Sequence, residues 1–257
     1  MAPIILSIAG SDSSGGAGIQ ADIKSITVQG GYAATAITAI TAQNTLGVQS
    51  IHLIPNQEVI AQIKSIIDDL QIAVVKTGML SSVEVIEFIA ANFGDTKIVI
   101  DPVMVATSGD ILVEEKVIEA IKTKLLPIAE IVTPNLYEAE ILTGFKLAAV
   151  NDQINAGKMM LEMGSNAALI KGGHGYTPVI TDVLVMQNEI HIFEHERINT
   201  KNTHGTGCTL ASSIATNLGL GKSTHDACRN SIDYVYKLLQ NSPNIGNGNG
   251  PLLHNLS

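Results

Sequence analysis

The sequence predicts an α/β protein with a mostly parallel central sheet, helices on both faces and a late antiparallel hairpin. Three observations carry this reading. Short apolar, β-branched runs alternate with helical stretches through most of the 257 residues, the pattern of repeated strand–helix–strand units. Polar, glycine-rich segments follow those runs, where loops at the carboxyl ends of parallel strands belong. Near the end, two strand-like runs are separated only by a short turn, which reads as a hairpin extending the sheet at one edge. A hydrophobic fraction of 46% against 15% charged residues suits the large buried core such a sheet needs.

The elements follow in order. Ile4 to Ala9 is an apolar run ending in Gly10, a buried first strand. A Gly/Ser loop leads to helical spacing over Ile19 to Gln29, and Ala34 to Ala39 is the second strand. Asn56 to Leu70 places Val59, Ile60, Ile63, Ile66, Ile67 and Leu70 on one face of an amphipathic helix. Ala73 to Lys76 is the third strand, Ser82 to Asn92 a helix and Lys97 to Asp101 the fourth strand. Glu114 to Leu126 reads as a helix, Ile128 to Thr133 as the fifth strand and Tyr137 to Thr143 as a short helix. Asp152 to Met163 is a helix and Ala167 to Lys171 the sixth strand. Val179 to Met186 and Glu189 to His195 form the hairpin, joined near Asn188. Helices over 208–218 and 224–240 precede a Gly/Asn-rich tail, Asn244 to Pro251, that reads as loop. No internal repeat and no long linker divides the chain, so a single domain over 1–257 is expected.

The composition narrows the function classes. A net charge of −9 with 15 Lys plus Arg and no basic run argues against nucleic acid and anionic membranes as partners. Only Cys208 and Cys228 are present, without a C-x-x-C pair, so neither a disulfide scaffold nor a thiolate metal site is expected. The run Met1-Ala2-Pro3 enters the first strand without a basic region, and no stretch of 18 apolar residues occurs, which predicts a soluble cytoplasmic protein. The loop after the first strand does not fit the G-x-G-x-x-G spacing of an NAD-linked oxidoreductase, nor is it a Walker loop, since Gly15 is followed by Gly16 and not Lys.

The most informative stretch is Asn202-Thr-His-Gly-Thr-Gly-Cys208. Two glycines at i and i+2 let the backbone turn tightly, and the helix that follows aims its free N–H groups and positive dipole end at one spot. Such a nest suits an anion whose charge grows during reaction, above all a transferring phosphoryl group. A thiol there is expected to have its ionised form favoured. The other polar strand ends are Gly10-Ser-Asp-Ser-Ser-Gly-Gly-Ala-Gly18, Lys76-Thr-Gly-Met79, Asp101-Pro-Val-Met104, Thr133-Pro-Asn-Leu-Tyr-Glu138 and Lys171-Gly-Gly-His174. Together they offer cations in Lys171 and Lys76, carboxylates able to hold Mg²⁺ in Asp101 and Glu138, and a candidate base in Cys208. Each also has a plain structural reading: Asp101 as a turn cap, Glu138 as a residue of its helix's first turn, His204 and His174 as loop-positioning groups.

In combination and in order, these motifs resemble the hydroxymethylpyrimidine/phosphomethylpyrimidine kinases of the ribokinase-like superfamily. Thr41-Ala-Gln-Asn-Thr45, the run as far as Asp22, the continuation Val105-Ala-Thr-Ser-Gly109 and the tail Gly248-Asn-Gly-Pro-Leu-Leu-His254 extend the match over nearly the whole chain. The resemblance implies two successive ATP-dependent phosphorylations, of 4-amino-5-hydroxymethyl-2-methylpyrimidine and then of its monophosphate, in thiamine biosynthesis. It implies ATP and Mg²⁺ as cofactors, a small-molecule substrate and a homodimer. By the same resemblance, Gln43 meets the aminopyrimidine edge, with Asp22, Met79 and Val105 around that pocket. Lys171, Asn135 and Thr203 fall on the nucleotide side, and Asp101 with Glu138 in the Mg²⁺ region. Gly205, Thr206 and Gly207 form the anion hole, beside Cys208 as base. Pyridoxal kinase, with the same fold and chemistry on another hydroxymethyl heteroaromatic, is the nearest alternative.

Overall fold

The computed structural model describes residues 2–104, 113–173 and 178–255. The strands are β1 (Ile4–Asp12), β2 (Tyr32–Asn44), β3 (Gly47–Leu53), β4 (Val74–Thr77), β5 (Lys97–Ile100), β6 (Ile131–Val132), β7 (Ala167–Ile170), β8 (Val179–Met186) and β9 (Ile190–Glu196). The helices are α1 (Gly18–Val28), α2 (Asn56–Ile67), α3 (Val83–Asn92), α4 (Glu115–Ala120), α5 (Leu136–Thr143), α6 (Val150–Glu162), α7 (Thr206–Gly219) and α8 (Thr224–Gln240). All nine strands form one sheet in the order β3-β2-β1-β4-β5-β6-β7-β8-β9. The pairs from β2 through β7 are parallel, whereas β3, β8 and β9 add antiparallel edges.

Apolar residues alternate between the two faces of the central strands, which builds two cores. Leu6, Ile8, Ile98, Ile100 and Ile170 pack with residues of α2 to α6, including Ile63, Ile86 and Met160. Ile5, Val74, Val99 and Leu169 pack against Ile26 of α1, Ile214 of α7 and Ile232 of α8. From β1 the chain goes first to β2 on one side and later to β4 on the other. The carboxyl ends of β1 and β4 therefore flank a switch point, the crevice where ligands of open α/β sheets sit.

Two stretches of the sheet and its helices depart most from the sequence expectation. The second strand runs on past Ala39 to Asn44 and returns as β3, a strand with no predicted counterpart. The turn is made locally: Asn44 Oδ1 accepts the Leu46 amide at 2.9 Å, an Asx turn. Every residue of β3 is exposed, so no buried face writes an alternating pattern into its sequence. The helix expected over 114–126 ends at Ala120 and closes with a wide turn over Ile121–Leu125 and a tight one over Leu126–Ile128. Pro127 lacks the amide that a regular continuation needs, and the following strand shrinks to Ile131–Val132.

Beneath the carboxyl ends of β1 and β4 lies a fully buried ion pair. Lys76 Nζ reaches both carboxylate oxygens of Asp22 at 3.0 and 2.9 Å. Ser7 and Ser212 each donate a hydroxyl to Asp22 at 2.6 Å. Burial alone would lower the Lys76 pKa, but Asp22, then Cys208 and Asp101, raise it well above the usual lysine range. Removing one partner of such a pair leaves the other charge buried without compensation. Lys76→Ala should therefore cost about 3–5 kcal/mol of unfolding free energy. Urea denaturation measures this directly, and a loss below about 1 kcal/mol, the worth of an exposed pair, would show that water re-solvates Asp22 freely.

Candidate active site

A cavity of about 1780 Å³ opens over the carboxyl ends of the strands. Pockets for one small ligand hold about 300–1,000 Å³, so this one has room for two molecules side by side. Its walls include Gln43, Met79, Lys76, Asp101, Asn135, Glu138, Lys171, Thr203 and the loop His204 to Cys208. Of the residues grouped with the pyrimidine pocket on resemblance, Asp22 falls elsewhere. Asp22 does not line the cavity; it lies behind Lys76 and reaches the site only through that ammonium. Val105 lies outside the described residues, as does His174.

The glycine-rich loop is itself the first turn of α7, which begins at Thr206, two residues earlier than the spacing predicts. Gly205 caps it with φ 82°, a left-handed conformation that a side chain rarely tolerates. A Cβ there would also run into the Gly16 carbonyl, so the first loop and the α7 loop touch backbone to backbone. The opening N–H groups of a helix have no partner within it and bring a positive end to the cavity. Across from them, Lys171 Nζ holds Asp101 Oδ1 at 3.0 Å, and Gly207 lies against both groups. Burial opposes the Lys171 charge, but Asp101 and Glu138 outweigh it and raise the pKa.

Glu138 has two roles in one position. With Asn135 it forms a reciprocal helix cap: the Asn135 amide donates to Glu138 Oε2 at 2.8 Å, and the Glu138 amide donates to Asn135 Oδ1 at 3.0 Å. Burial raises the Glu138 pKa to about 7, with the neighbouring Asp101 charge adding to the rise and Lys171 opposing it. The two carboxylates thus feel one another across the cavity floor.

On the opposite wall, Asp12 gathers the first loop. It accepts the amides of Ser14, Gly16 and Ala17 at 2.8, 3.0 and 2.8 Å, the Ser14 hydroxyl at 2.8 Å, and His204 Nε2 at 2.7 Å. Burial would raise its pKa, but the hydrogen bonds from His204, Ser14 and Ala17 hold it far below the usual carboxylate range. The short contact to Asp12 places a proton on His204 Nε2. The Gln43 amide nitrogen, 3.4 Å from that same nitrogen, consequently faces a group that cannot accept, and remains available to a ligand. The Gln43 carbonyl end shares the Thr41 hydroxyl, 3.1 Å away, with the Ser11 carbonyl at 3.0 Å. Neither Asp12 nor Asp182 stands out in the sequence. Asp182 lines the cavity and fixes the Gly172 amide at 2.7 Å beside Lys171; only its register on β8 could have pointed there.

The Cys208 thiol departs from expectation. Burial raises its pKa to about 11; Lys76 lowers it, as does the Gly18 amide, while Asp22 and Asp101 push it further up. Desolvation and two carboxylates thus outweigh Lys76 and the Gly18 amide, and the thiol form is favoured instead. Cys228 is fully buried and away from the cavity.

The cavity joins a helix N-terminus to a lysine–carboxylate pair at the carboxyl ends of the strands, on a ribokinase-like fold. A family profile described as phosphomethylpyrimidine kinase matches residues 12–253, and the chain belongs to that family. It is 45% identical over 253 residues to the chloroplastic thiamine biosynthetic bifunctional enzyme of Arabidopsis thaliana, covering 96% of this chain and 48% of that protein. The hydroxymethylpyrimidine/phosphomethylpyrimidine kinase of Streptomyces coelicolor is 42% identical over 254 residues, covering 98% of this chain and 94% of that one. The chain thus spans about half the length of its bifunctional relatives and nearly all of the shorter kinases. The phosphomethylpyrimidine kinase of Clostridium difficile 630 superposes with a TM-score of 0.81 at 38% identity, over 91% of this chain and 98% of that one. A Bacillus subtilis pyridoxal kinase in complex with ADP superposes at 0.90 with 33% identity, over 99% and 98%.

A thiol titrating near 11 stays protonated at neutral pH. In the unfolded chain, with an ordinary value of 9.0, it ionises first, so this group's contribution to stability is full below pH 9 and is lost as pH rises towards 11. Peptide-resolved alkylation of Cys208 by iodoacetamide should accordingly be slow at pH 7–8 and accelerate only towards pH 11. Rapid labelling at pH 7 would mean that the helix terminus dominates after all.

Proposed function

We propose that this protein transfers the γ-phosphoryl group of ATP to 4-amino-5-hydroxymethyl-2-methylpyrimidine and then to the resulting monophosphate, in thiamine biosynthesis. The observation that carries the reading is one cavity with two differently equipped ends. Gln43 offers a free amide donor beside an acceptor oxygen, the pair an aminopyrimidine edge needs. The start of α7, with Lys171, offers positive charge to a triphosphate. Between them the hydroxymethyl oxygen and the γ-phosphoryl meet over Gly207 and Cys208, where charge develops as transfer proceeds. Asn135 and Thr203 flank the nucleotide side of the same wall. Met79 packs against Gly10 beside the pyrimidine end.

Asp101 and Glu138 fit a nucleotide-borne Mg²⁺. No group of three or more potential protein ligands occurs among the described residues, and Mg²⁺ at nucleotide sites takes only one or two carboxylates, the rest being phosphate and water. When bound there, the ion neutralises charge on the β- and γ-phosphate oxygens. Cys208 is the proton acceptor in this reading, with Lys76 as the charge that stabilises its thiolate. Its high pKa limits the thiolate fraction, so positioning and charge stabilisation supply most of the rate. A homodimer and a cytoplasmic location belong to the same proposal. The exposed apolar residues Ile40, Leu46, Val48, Ile51 and Leu53 on the β2–β3 edge support pairing of two copies. No helix among the described residues is long and apolar enough to cross a membrane.

The reading is tested by ADP release with the hydroxymethylpyrimidine, its monophosphate and pyridoxal in parallel. Turnover of both pyrimidines supports it; turnover of pyridoxal alone replaces it with the neighbouring kinase activity. Gln43→Ala should raise the apparent KM for the pyrimidine roughly 5- to 150-fold, the consequence of about 1–3 kcal/mol for an unpaired polar edge, with the KM for ATP little changed. An unaltered pyrimidine KM would place the ring elsewhere.

Cys208→Ala should slow single-turnover phosphoryl transfer by roughly 10²- to 10⁴-fold, the range for loss of a general base. A wild-type chemical step in this variant would reduce the thiol to packing.

A further inference from the structure

The segment 246–251 has no part in the chemistry above, yet it is held against two of the loops that line the cavity. Its glycines recur at every second position, Gly246, Gly248 and Gly250, and each sits where a side chain would collide. A Cβ at Gly246 would run into Thr45 Oγ1, one at Gly248 into the Thr45 carbonyl oxygen, and one at Gly250 into Asn202 Oδ1. Asn249, between the last two, lines the cavity.

Hydrogen bonds fix the segment at the same places. The Asn249 amide donates to Thr45 O at 2.9 Å, and the Gly248 amide to Thr45 Oγ1 at 3.2 Å. The Gly250 carbonyl accepts the His204 amide at 3.1 Å, and Pro251 pairs with His204. Asn202 Nδ2 donates to Asn244 Oδ1 at 3.2 Å just upstream. Farther along, His254 Nε2 and the Thr209 hydroxyl meet at 2.8 Å on the first turns of α7. One stretch of chain therefore ties Thr45, two residues beyond Gln43, to His204, one residue before Gly205.

We propose that residues 246–251 are a positioning strap that sets the distance between the Gln43 turn and the Gly205–Cys208 loop. Gly248 seats the end that meets the acceptor ring, and Gly250 seats the end that meets the transferring phosphoryl. A displacement of about 1 Å in such a site lowers rates by about 10²-fold, so the absence of side chains at these positions has a functional consequence beyond stability. The assignment of the two ends rests on the pyrimidine kinase reading; the strap itself rests on the contacts alone.

Three variants test it: Gly248→Ala, Gly250→Ala and Thr45→Val, the last deleting only the hydroxyl that accepts the Gly248 amide. Steady-state kinetics with the hydroxymethylpyrimidine are paired with hydrogen exchange of the ligand-free protein. Gly248→Ala and Thr45→Val should raise the pyrimidine KM at least roughly fivefold, with kcat within about twofold, and speed exchange at 43–47. Gly250→Ala should lower kcat roughly 10- to 100-fold with a smaller change in KM and speed exchange at 203–208. Parallel losses in both parameters from every variant, uniform loosening of all amides, or no change overturns the strap. Should the wild-type protein not turn over the pyrimidine, the functional reading falls, and exchange alone decides: loosening confined to the named stretches supports the strap, and an unchanged pattern removes it. If either glycine variant fails to fold, Thr45→Val decides between the same outcomes.

Discussion

The buried pair of Asp22 and Lys76 is the interaction on which the site depends. It joins four elements at one point: α1 through Asp22, β4 through Lys76, β1 through Ser7 and α7 through Ser212. Two unit charges removed from water are tolerable only when their attraction is close and the remaining lone pairs are satisfied. Here both carboxylate oxygens are engaged by Lys76, and each takes one serine hydroxyl as well. The geometry is therefore demanding, and satisfying it fixes the position of α7 relative to the sheet. The start of that helix, with Cys208, is thereby held over the strand ends. Lys76 adds a second effect, since it is the positive charge that lowers the Cys208 pKa against burial and two carboxylates.

A protein of net charge −9 binds a polyanion only if the local field differs from the global one. The separation is achieved by pairing. Asp22 is neutralised by Lys76, Asp101 by Lys171, and Asp12 by three backbone amides and His204. The start of α7 then adds its positive end toward the cavity. The raised Glu138 pKa belongs to the same balance: one more buried carboxylate beside Asp101 is costly, and the protein holds it by two backbone amides, those of Asn135 and Met104.

Much of this is legible in the sequence because strand ends are marked by both composition and position. Gly10, Lys76, Asp101, Thr133 and Lys171 each follow an apolar run, and the structure brings them to one rim of the sheet. The G-T-G-C stretch is readable as a helix start because glycine pairs and a following small-residue helix have few other uses. What stays hidden depends on burial or on distant partners. Residues flanking a tight turn give away neither β3, which has no buried face, nor the continuation of β2 to Asn44. Asp22 reads like any polar residue on a helix until its neighbours at positions 7, 76 and 212 are known. The thiol pKa departs from expectation for the same reason: the helix terminus is local and visible in sequence, whereas burial first, and then Asp22 and Asp101, arrive only with the fold.

Glycines bring the backbones of two loops into contact beside the cavity, and this constrains which parts of the site can vary. Gly205 lies against the Gly16 carbonyl, Gly16 lies under the His204 ring, and Gly18 approaches the Gly10 carbonyl. Because Gly205 and Gly18 also have positive φ, both space and torsion forbid a side chain at those two positions. Contacts of this kind fix the loop after β1 against the loop before α7 without adjustable rotamers. Other parts of the cavity wall, Met79 among them, are made of side chains. Side chains on the cavity wall can therefore vary while the backbone contacts between the two loops stay fixed.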